Sequence, residues 1–348
     1  MNFTTFSRFS RFFLQNFKNQ STKQYQKNTN TSTKCIRRIV INHRNHSHSF
    51  SSTTSIPPIG IILGFSFFSK KDDEETPEDK LIMTIKRSIL AIQRKEYDKA
   101  EQMLHLALRM AQDLQHKDGI TYVYDVLANL AMERGQFKNA EKLFADVMRR
   151  LFANGESEDS LKIIHMSSKI AHMAHLQENF EKATQGFNWA LDKLKKLPDS
   201  EDLNEIKAIT CDWYGQLLVE QQKYAEAKKC FEEAFDIFLK KYGETYSELV
   251  PLLNNLSVAA LGLHDTKSAR EYLKMALELV KKIPEATNEG LLQANLGLVY
   301  LRDGLAEQAK STCSYAYRLG KKMQDDDSVE QANYCLDEIK KFTNDKKE

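Results

Sequence analysis

Residues 124–147 read YDVLANLAMERGQFKNAEKLFADV, and this stretch decides the fold. It places an aromatic residue, Phe137, three positions before Ala140, with apolar Phe144 four positions after that alanine. A small residue, Ala128, lies twelve positions before the alanine. We interpret the stretch as two antiparallel helices that approach closely where small residues face each other. A longer side chain at such a crossing would overpack it, at a cost of about 1–3 kcal/mol.

The same pattern recurs six times along the chain, and a fixed period of this kind indicates a repeat architecture. The key alanines are 40, 43, 44, 42 and 40 residues apart. A single hairpin cannot bury its apolar face alone, so the hairpins are expected to stack. The residues expected to pack the helix pairs are Ala100, Ala128, Ala140, Ala171, Ala183, Gly215, Ala227, Ala269, Gly297 and Ala309.

The predicted fold is therefore all-α, a right-handed superhelical solenoid of about six hairpins over residues 81–325. Only 13 glycines and 6 prolines occur in 348 residues, and charged residues make up 28%, which favours helix throughout. An apolar stripe of five residues marks residues 326–348 as a C-terminal capping helix and tail. Its members are Val329, Ala332, Leu336, Ile339 and Phe342.

Across residues 81–322 the pattern resembles the tetratricopeptide repeat family. The period is longer than that family's usual 34 residues, and it looks more like the longer helices of kinesin light chain. Residues 252–256, LLNNL, are similar to a Leu-Asn-Asn-Leu box of that family. The resemblance implies a superhelix whose first helices line a concave, peptide-binding face.

The N-terminal segment differs sharply from this body in charge. Residues 1–71 contain eleven Lys or Arg and no acidic residue, which leaves the rest of the chain at −9. Residues 1–50 also carry Phe at near-helical spacing, and we predict a mitochondrial transit peptide that is removed after import. The alternative is a disordered basic tail for nucleic acid or a membrane surface. Removal would exclude His43, His46 and His48 as metal ligands.

An apolar run, Ile56 to Phe68, lies within residues 51–71 and is a marginal membrane anchor. Thirteen helical residues span about 20 Å, against a hydrocarbon core of about 30 Å. The alternative is an apolar strip that packs on the first repeat. Residues 72–80 are expected to form an acidic linker. Basic residues before the run weakly favour the intermembrane space for the body, through the positive-inside tendency.

No catalytic constellation emerges, so we predict neither an enzyme nor a cofactor or metal site. Phosphate loops, GxSxG elbows and HExxH pairs are missing from the sequence. The acidic body argues against nucleic-acid binding, which needs clustered basic residues. His165, His172 and His175 share one helix, where a metal site is the alternative to a solvated or partner-contacting face. The five cysteines are expected to be free and buried. Cys211 and Cys230, on the two helices of repeat four, are expected to pack in the core, and the alternative is that an oxidising compartment pairs them.

By register with the repeat family, one set of polar residues is expected to face the concave groove. Asn side chains in such a groove can bond the backbone amides of an extended peptide. The alternative is that these are ordinary surface residues. The set comprises Tyr122, Asp125, Asn129, His165, Ser168, His172, Gln216, Asn254 and Asn255.

Leader, anchor and repeats together resemble a mitochondrial family of tetratricopeptide repeat proteins. The residues that carry the likeness begin with GFSFF and an acidic patch, and continue as KLIMTIKRSILAIQRKEYDKAEQMLHLAL and YDVLANLAMERGQFKNAEKLF. The resemblance implies an inner-membrane scaffold that binds respiratory complex III and clears fragments of its Rieske iron–sulfur subunit. The alternative is a cargo or import receptor, in the outer membrane or the cytosol, that binds peptides in its groove. In neither case is a small-molecule substrate expected.

Overall fold

The computed structural model describes residues 76–283 and 289–345, which form thirteen helices and no strand. The first six helices are α1 (Pro77–Gln93), α2 (Tyr97–Asp113), α3 (Lys117–Glu133), α4 (Phe137–Ala153), α5 (Leu161–Leu176) and α6 (Phe180–Leu194). The next four are α7 (Glu201–Glu220), α8 (Tyr224–Tyr242), α9 (Leu249–Gly262) and α10 (Thr266–Lys282). The last three are α11 (Glu289–Arg302), α12 (Ala306–Met323) and α13 (Asp326–Asp345).

Consecutive helices pair into six antiparallel hairpins, α1–α2 through α11–α12, and α13 packs against the last pair. This confirms the predicted solenoid of six hairpins with a capping helix. The residue three positions before each key alanine is the first residue of the second helix in every hairpin. These starts are Tyr97, Phe137, Phe180, Tyr224, Thr266 and Ala306.

All six hairpins turn in the same way. Two positions before each second helix lies a residue with positive φ, and the next residue donates its N–H to the carbonyl five positions back. In the fourth hairpin Gln222 has φ 63°, and the N–H of Lys223 lies 2.8 Å from the Leu218 oxygen. This is the Schellman geometry that satisfies the last carbonyls of a helix. Only two of the six turns use glycine, at Gly135 and Gly304.

The core lies where the two helices of each hairpin cross. The second-helix alanines at Ala100, Ala140, Ala183, Ala227, Ala269 and Ala309 have no solvent-accessible surface. In hairpins four and six the small residue of the first helix meets the residue four positions after the alanine, rather than the alanine itself. A Cβ on Gly215 would lie 2.5 Å from Cε1 of Phe231, and one on Gly297 would overlap Sγ of Cys313. Glycine is therefore needed at positions 215 and 297, because the side chains of Phe231 and Cys313 occupy the space that a larger residue would fill.

Helix α1 begins at Pro77, inside the stretch expected to be an acidic linker. Thr76 caps the helix by accepting a bond from the Asp79 N–H, and the Asp79 carboxylate accepts one from the Thr76 N–H. Acidic residues in a first turn also complement the helix dipole. The last four residues of the expected linker are thus helical, because their acidic residues serve as helix-start signals.

A disulfide joins Cys313 in α12 to Cys335 in α13. The expectation that every cysteine is a free thiol is therefore wrong for this pair, because the packing of the cap brings two distant sequence positions together. Cys211 and Cys230 are free thiols. Helix α13 is thus attached to the final hairpin by a covalent bond as well as by packing.

The predicted transit peptide, residues 1–50, and anchor, residues 51–71, lie outside the described residues. Within the part of the chain that is described, no helix combines the length and apolar character needed to cross a membrane.

Candidate functional site: the inner polar positions of the repeats

The polar residues expected to line a groove lie on the first helices of hairpins two to five, α3, α5, α7 and α9. Six of the nine are buried: Tyr122, Asp125, His165, Ser168, Asn254 and Asn255. The other three, Asn129, His172 and Gln216, are partly exposed. Most of the expected groove is therefore closed to solvent, because these side chains contact neighbouring repeats.

The most enclosed contact joins hairpins two and three. Nζ of Lys169 in α5 lies 2.9 Å from both carboxylate oxygens of Asp125 in α3, and both side chains are at most 1% exposed. Burial raises the pKa of Asp125 and lowers the pKa of Lys169, while the opposite charge of each partner counteracts that effect. The Asn129 amide nitrogen adds a third bond to Asp125 at 3.3 Å. Each charge of the pair is therefore compensated by its partner at a place that water does not reach.

His165 lies one turn before Lys169 on α5 and is 1% exposed. Neither ring nitrogen of His165 has a hydrogen-bond partner. Burial, together with the positive charge of Lys169, holds the pKa of His165 well below its ordinary value. The imidazole is therefore neutral at physiological pH and acts as a packing group.

The other two histidines of α5 contact α7. The His172 ring stacks on Trp213 with centroids 4.5 Å apart, and burial lowers the pKa of His172 to about 3. Nε2 of His175 lies 3.2 Å from a carboxylate oxygen of Glu220. His172 and His175 thus contact different residues of α7, whereas the ring nitrogens of His165 have no partner. Among residues 76–283 and 289–345, no group of three or more His, Cys, Asp or Glu is arranged to hold a metal ion.

Hairpins four and five meet through an acidic residue held by two amides. Asp212 in α7 accepts bonds from Gln216, at 3.0 Å, and from Asn255 of α9, at 3.2 Å. Burial raises the pKa of Asp212 to about 6. Glu248, the residue directly before α9, has its pKa raised to about 8 by burial and then by the charge of Asp212. This junction therefore carries two carboxyls that resist ionisation.

Further polar contacts extend from this junction to both neighbouring junctions. Ser168 of α5 and Thr210 of α7 share a buried bond of 2.9 Å. Toward the C-terminus, Asn295 of α11 donates to Asn254, and Gln331 of the cap donates to Asn295, each at 2.8 Å. Because buried polar groups need partners, these bonds specify how each repeat is placed on the next.

A row of partly exposed polar residues remains. Asn129, His172 and Gln216 each lie eleven positions before the key alanine of hairpins two, three and four. The corresponding residues of hairpins five and six, Val258 and Leu298, are apolar and buried. We call Asn129, His172 and Gln216 the inner row; it is the part of the expected groove that solvent reaches.

Sequence reasoning missed the partners that close the groove, namely Lys169, Thr210, Asp212, Trp213, Asn295 and Gln331. One of them, Lys169, directly follows the expected groove residue Ser168. Register places a residue on the inner face, but it does not distinguish a solvent-facing side chain from one that reaches the next repeat.

Six stacked hairpins with small residues at their crossings define a tetratricopeptide-type repeat protein, and a tetratricopeptide repeat family model matches residues 208–282. The chain is 59% identical over 285 residues to the Drosophila melanogaster "Tetratricopeptide repeat protein 19 homolog, mitochondrial", covering 81% of this chain and 77% of that one. It is 28% identical to the human protein named "Tetratricopeptide repeat protein 19, mitochondrial", covering 78% and 75%. The chain belongs to the family of mitochondrial tetratricopeptide repeat protein 19.

Solved structures support the fold alone. The crystal structure of BtubC (BKLC) from P. vanneervenii superposes with a TM-score of 0.55 at 21% identity, covering 70% of this chain and 92% of that one.

Proposed function

We propose that the protein is a non-enzymatic scaffold of the mitochondrial inner membrane that binds respiratory complex III and supports its integrity. The observation that carries this proposal is the 59% identity to a mitochondrial relative across most of the chain. The acid-free leader and the apolar run of residues 51–71 support import and membrane attachment. By resemblance, the scaffold acts through clearance of fragments of the Rieske iron–sulfur subunit.

The solenoid is proposed to lie on the intermembrane-space side. The Cys313–Cys335 disulfide supports this side, because disulfides persist in oxidising compartments and are rare where thiols are kept reduced. The basic residues before the apolar run also favour the intermembrane-space side.

We propose that the inner row takes part in partner contact. Its amides and imidazole can exchange hydrogen bonds with the backbone of an extended segment.

Two measurements test this function. Protease added to intact mitochondria should leave the solenoid uncut, while protease added after rupture of the outer membrane should digest it. Digestion in intact mitochondria would instead support the outer-membrane receptor. Protection from protease after that rupture would overturn the proposed side.

The second measurement is co-purification from mild detergent, where complex III subunits should be recovered with the full chain. Replacing Asn129 and Gln216 by Ala should reduce that recovery. The matched control replaces Asn139 and Gln185, exposed amides on α4 and α6, and should leave recovery unchanged. Absence of respiratory subunits with the unaltered chain would contradict complex III as the partner, and equal recovery with both double variants would contradict the inner row.

A further inference from the structure

Two free thiols meet inside the fourth hairpin. Cys211 lies on α7 and Cys230 on α8, and Cys230 packs against the core cluster of buried residues that contains Cys211. Cys211 is 1% exposed, whereas Cys230 is partly exposed on the hairpin surface. One sulfur can therefore be reached from solvent while the other lies behind it.

Charged groups surround the pair unevenly. Sγ of Cys211 lies 3.5 Å from Oε2 of Glu233, whose other oxygen pairs with Nζ of Lys207 at 2.5 Å. The neighbouring Cys211 lowers the pKa of Cys230, while Cys230 and then burial raise the pKa of Cys211. Glu226 and Lys195 also face Cys230. The exposed sulfur is thus the better nucleophile, which is the arrangement of an attacking and a resolving cysteine.

We propose that Cys211 and Cys230 form a reversible dithiol–disulfide site that is oxidised by exchange with a disulfide such as oxidised glutathione. The site is separate from the Cys313–Cys335 disulfide, and the proposal does not depend on complex III binding.

The exchange balances without any further oxidant. The Cys230 thiolate attacks one sulfur of oxidised glutathione, which forms a mixed disulfide and releases one glutathione thiolate. Cys211 then loses its proton to the Glu233 carboxylate and attacks the Cys230 sulfur, and the second glutathione thiolate leaves. Each released thiolate takes up a proton, so two protein thiols are oxidised while one glutathione disulfide becomes two thiols.

The bond would join the two helices of one hairpin next to their closest crossing. Cys211 lies one turn before Gly215, and Cys230 directly precedes Phe231, the two residues in contact at that crossing. Gln216 of the inner row follows on the same helix. Oxidation would therefore fix the part of hairpin four from which Gln216 projects.

The test equilibrates the folded full chain in glutathione buffers of increasing oxidised fraction, traps free thiols with a maleimide and identifies peptides by mass spectrometry. A Cys211–Cys230 peptide should accumulate as the oxidised fraction rises. The Cys313–Cys335 peptide, bonded at each of these ratios, is the internal standard. Free Cys211 and Cys230 under conditions where the standard is fully bonded would overturn the proposal.

Single variants separate the two roles, and helicity by circular dichroism verifies their folding. In Cys211→Ser, a glutathione adduct should persist on Cys230. In Cys230→Ser, Cys211 should react at least tenfold more slowly than Cys230 does in the unaltered chain. Glu233→Gln should slow disulfide closure without slowing adduct formation. Equal reactivity of the two cysteines in the single variants would contradict the assigned order of attack.

Discussion

Lys169 of α5 donates to both carboxylate oxygens of Asp125 of α3, and this buried pair fixes hairpin three against hairpin two. The pair matters for the free energy of unfolding because removal of one partner leaves the other charge buried and unpaired. An isolated charge in a water-free position costs several kcal/mol, whereas an apolar pair of similar volume costs little or nothing.

We therefore expect Lys169→Met to lower the free energy of unfolding by about 3–5 kcal/mol, because Asp125 stays buried without its counter-charge. The double variant Asp125→Leu with Lys169→Met should recover most of that loss. The control is the exposed pair of Lys99 and Glu96, where Lys99→Met should cost less than about 1 kcal/mol. Chemical denaturation measures all three variants, and equal losses for Lys169→Met and Lys99→Met would refute this role.

The shared turn geometry gives a second prediction. Gln222 occupies the left-handed region at φ 63°, where side chains other than Gly are strained. Gln222→Gly should raise the free energy of unfolding by about 0.5–1 kcal/mol. Lys223→Gly, one position later at φ −89°, should lower it, because only chain entropy changes there. Thermal unfolding compares the two variants. A change of the same sign in both would contradict the strained left-handed conformation at Gln222.

Close helix crossing gives a third prediction. Gly215→Ala places a methyl group 2.5 Å from the Phe231 ring, and overpacking costs about 1–3 kcal/mol, more than the gain of about 1 kcal/mol in helix propensity. Adding Phe231→Leu should restore part of the loss. Gly119→Ala is the comparison, since its methyl would lie no closer than 3.3 Å to a neighbour, and it should lower stability less than Gly215→Ala does. If Gly215→Ala had the same free energy of unfolding as the unaltered chain, the close contact between Gly215 and Phe231 would be contradicted.

The fourth prediction concerns pH. A folded-state pKa of about 8 for Glu248, against an ordinary 4.5, means that the folded chain keeps a proton which the unfolded chain releases. Stability from this group is thus fully present below about pH 4.5 and is lost as pH rises toward 8. Glu248→Gln should flatten that part of the stability profile and raise stability at pH 8 by about 1 kcal/mol, after allowance for partial exposure.

The control for the pH prediction is Glu278→Gln. Glu278 is exposed, and its pKa is lowered through its bond to Lys281, so it titrates below the relevant range. Denaturant unfolding at several pH values between 5 and 8 measures how the free energy of unfolding changes with pH. This change should be the same for Glu278→Gln as for the unaltered chain. If Glu248→Gln also showed the same pH dependence as the unaltered chain, the raised pKa of Glu248 would be contradicted.

The sequence was sufficient to predict the repeat architecture, because steric requirements recur at fixed spacing. Ala183 has no accessible surface, and Phe180 begins its helix. The hairpin turns could not be read in the same way, since Glu178 and Gln222 take a conformation that usually signals glycine. The flanking helices impose this backbone conformation, and the residue types at the turn do not predict it.

The expected groove shows a different limit. Register correctly places Asp125 and Asn254 on first helices, yet both are buried because Lys169 and Asn295 reach them from the next repeat. Such contacts depend on the rise and rotation between hairpins, which spacing along one chain does not define. The Cys313–Cys335 bond was missed for a related reason, since it depends on the packing angle of the cap.

Cross-linking in intact mitochondria, followed by mass spectrometry, tests most directly whether this repeat stack is a complex III scaffold. Exposed lysines of the solenoid, such as Lys142 and Lys229, provide attachment points. The account predicts cross-links from these lysines to complex III subunits, on parts that face the intermembrane space. Cross-links confined to outer-membrane or cytosolic proteins, with none to any respiratory subunit, would contradict it.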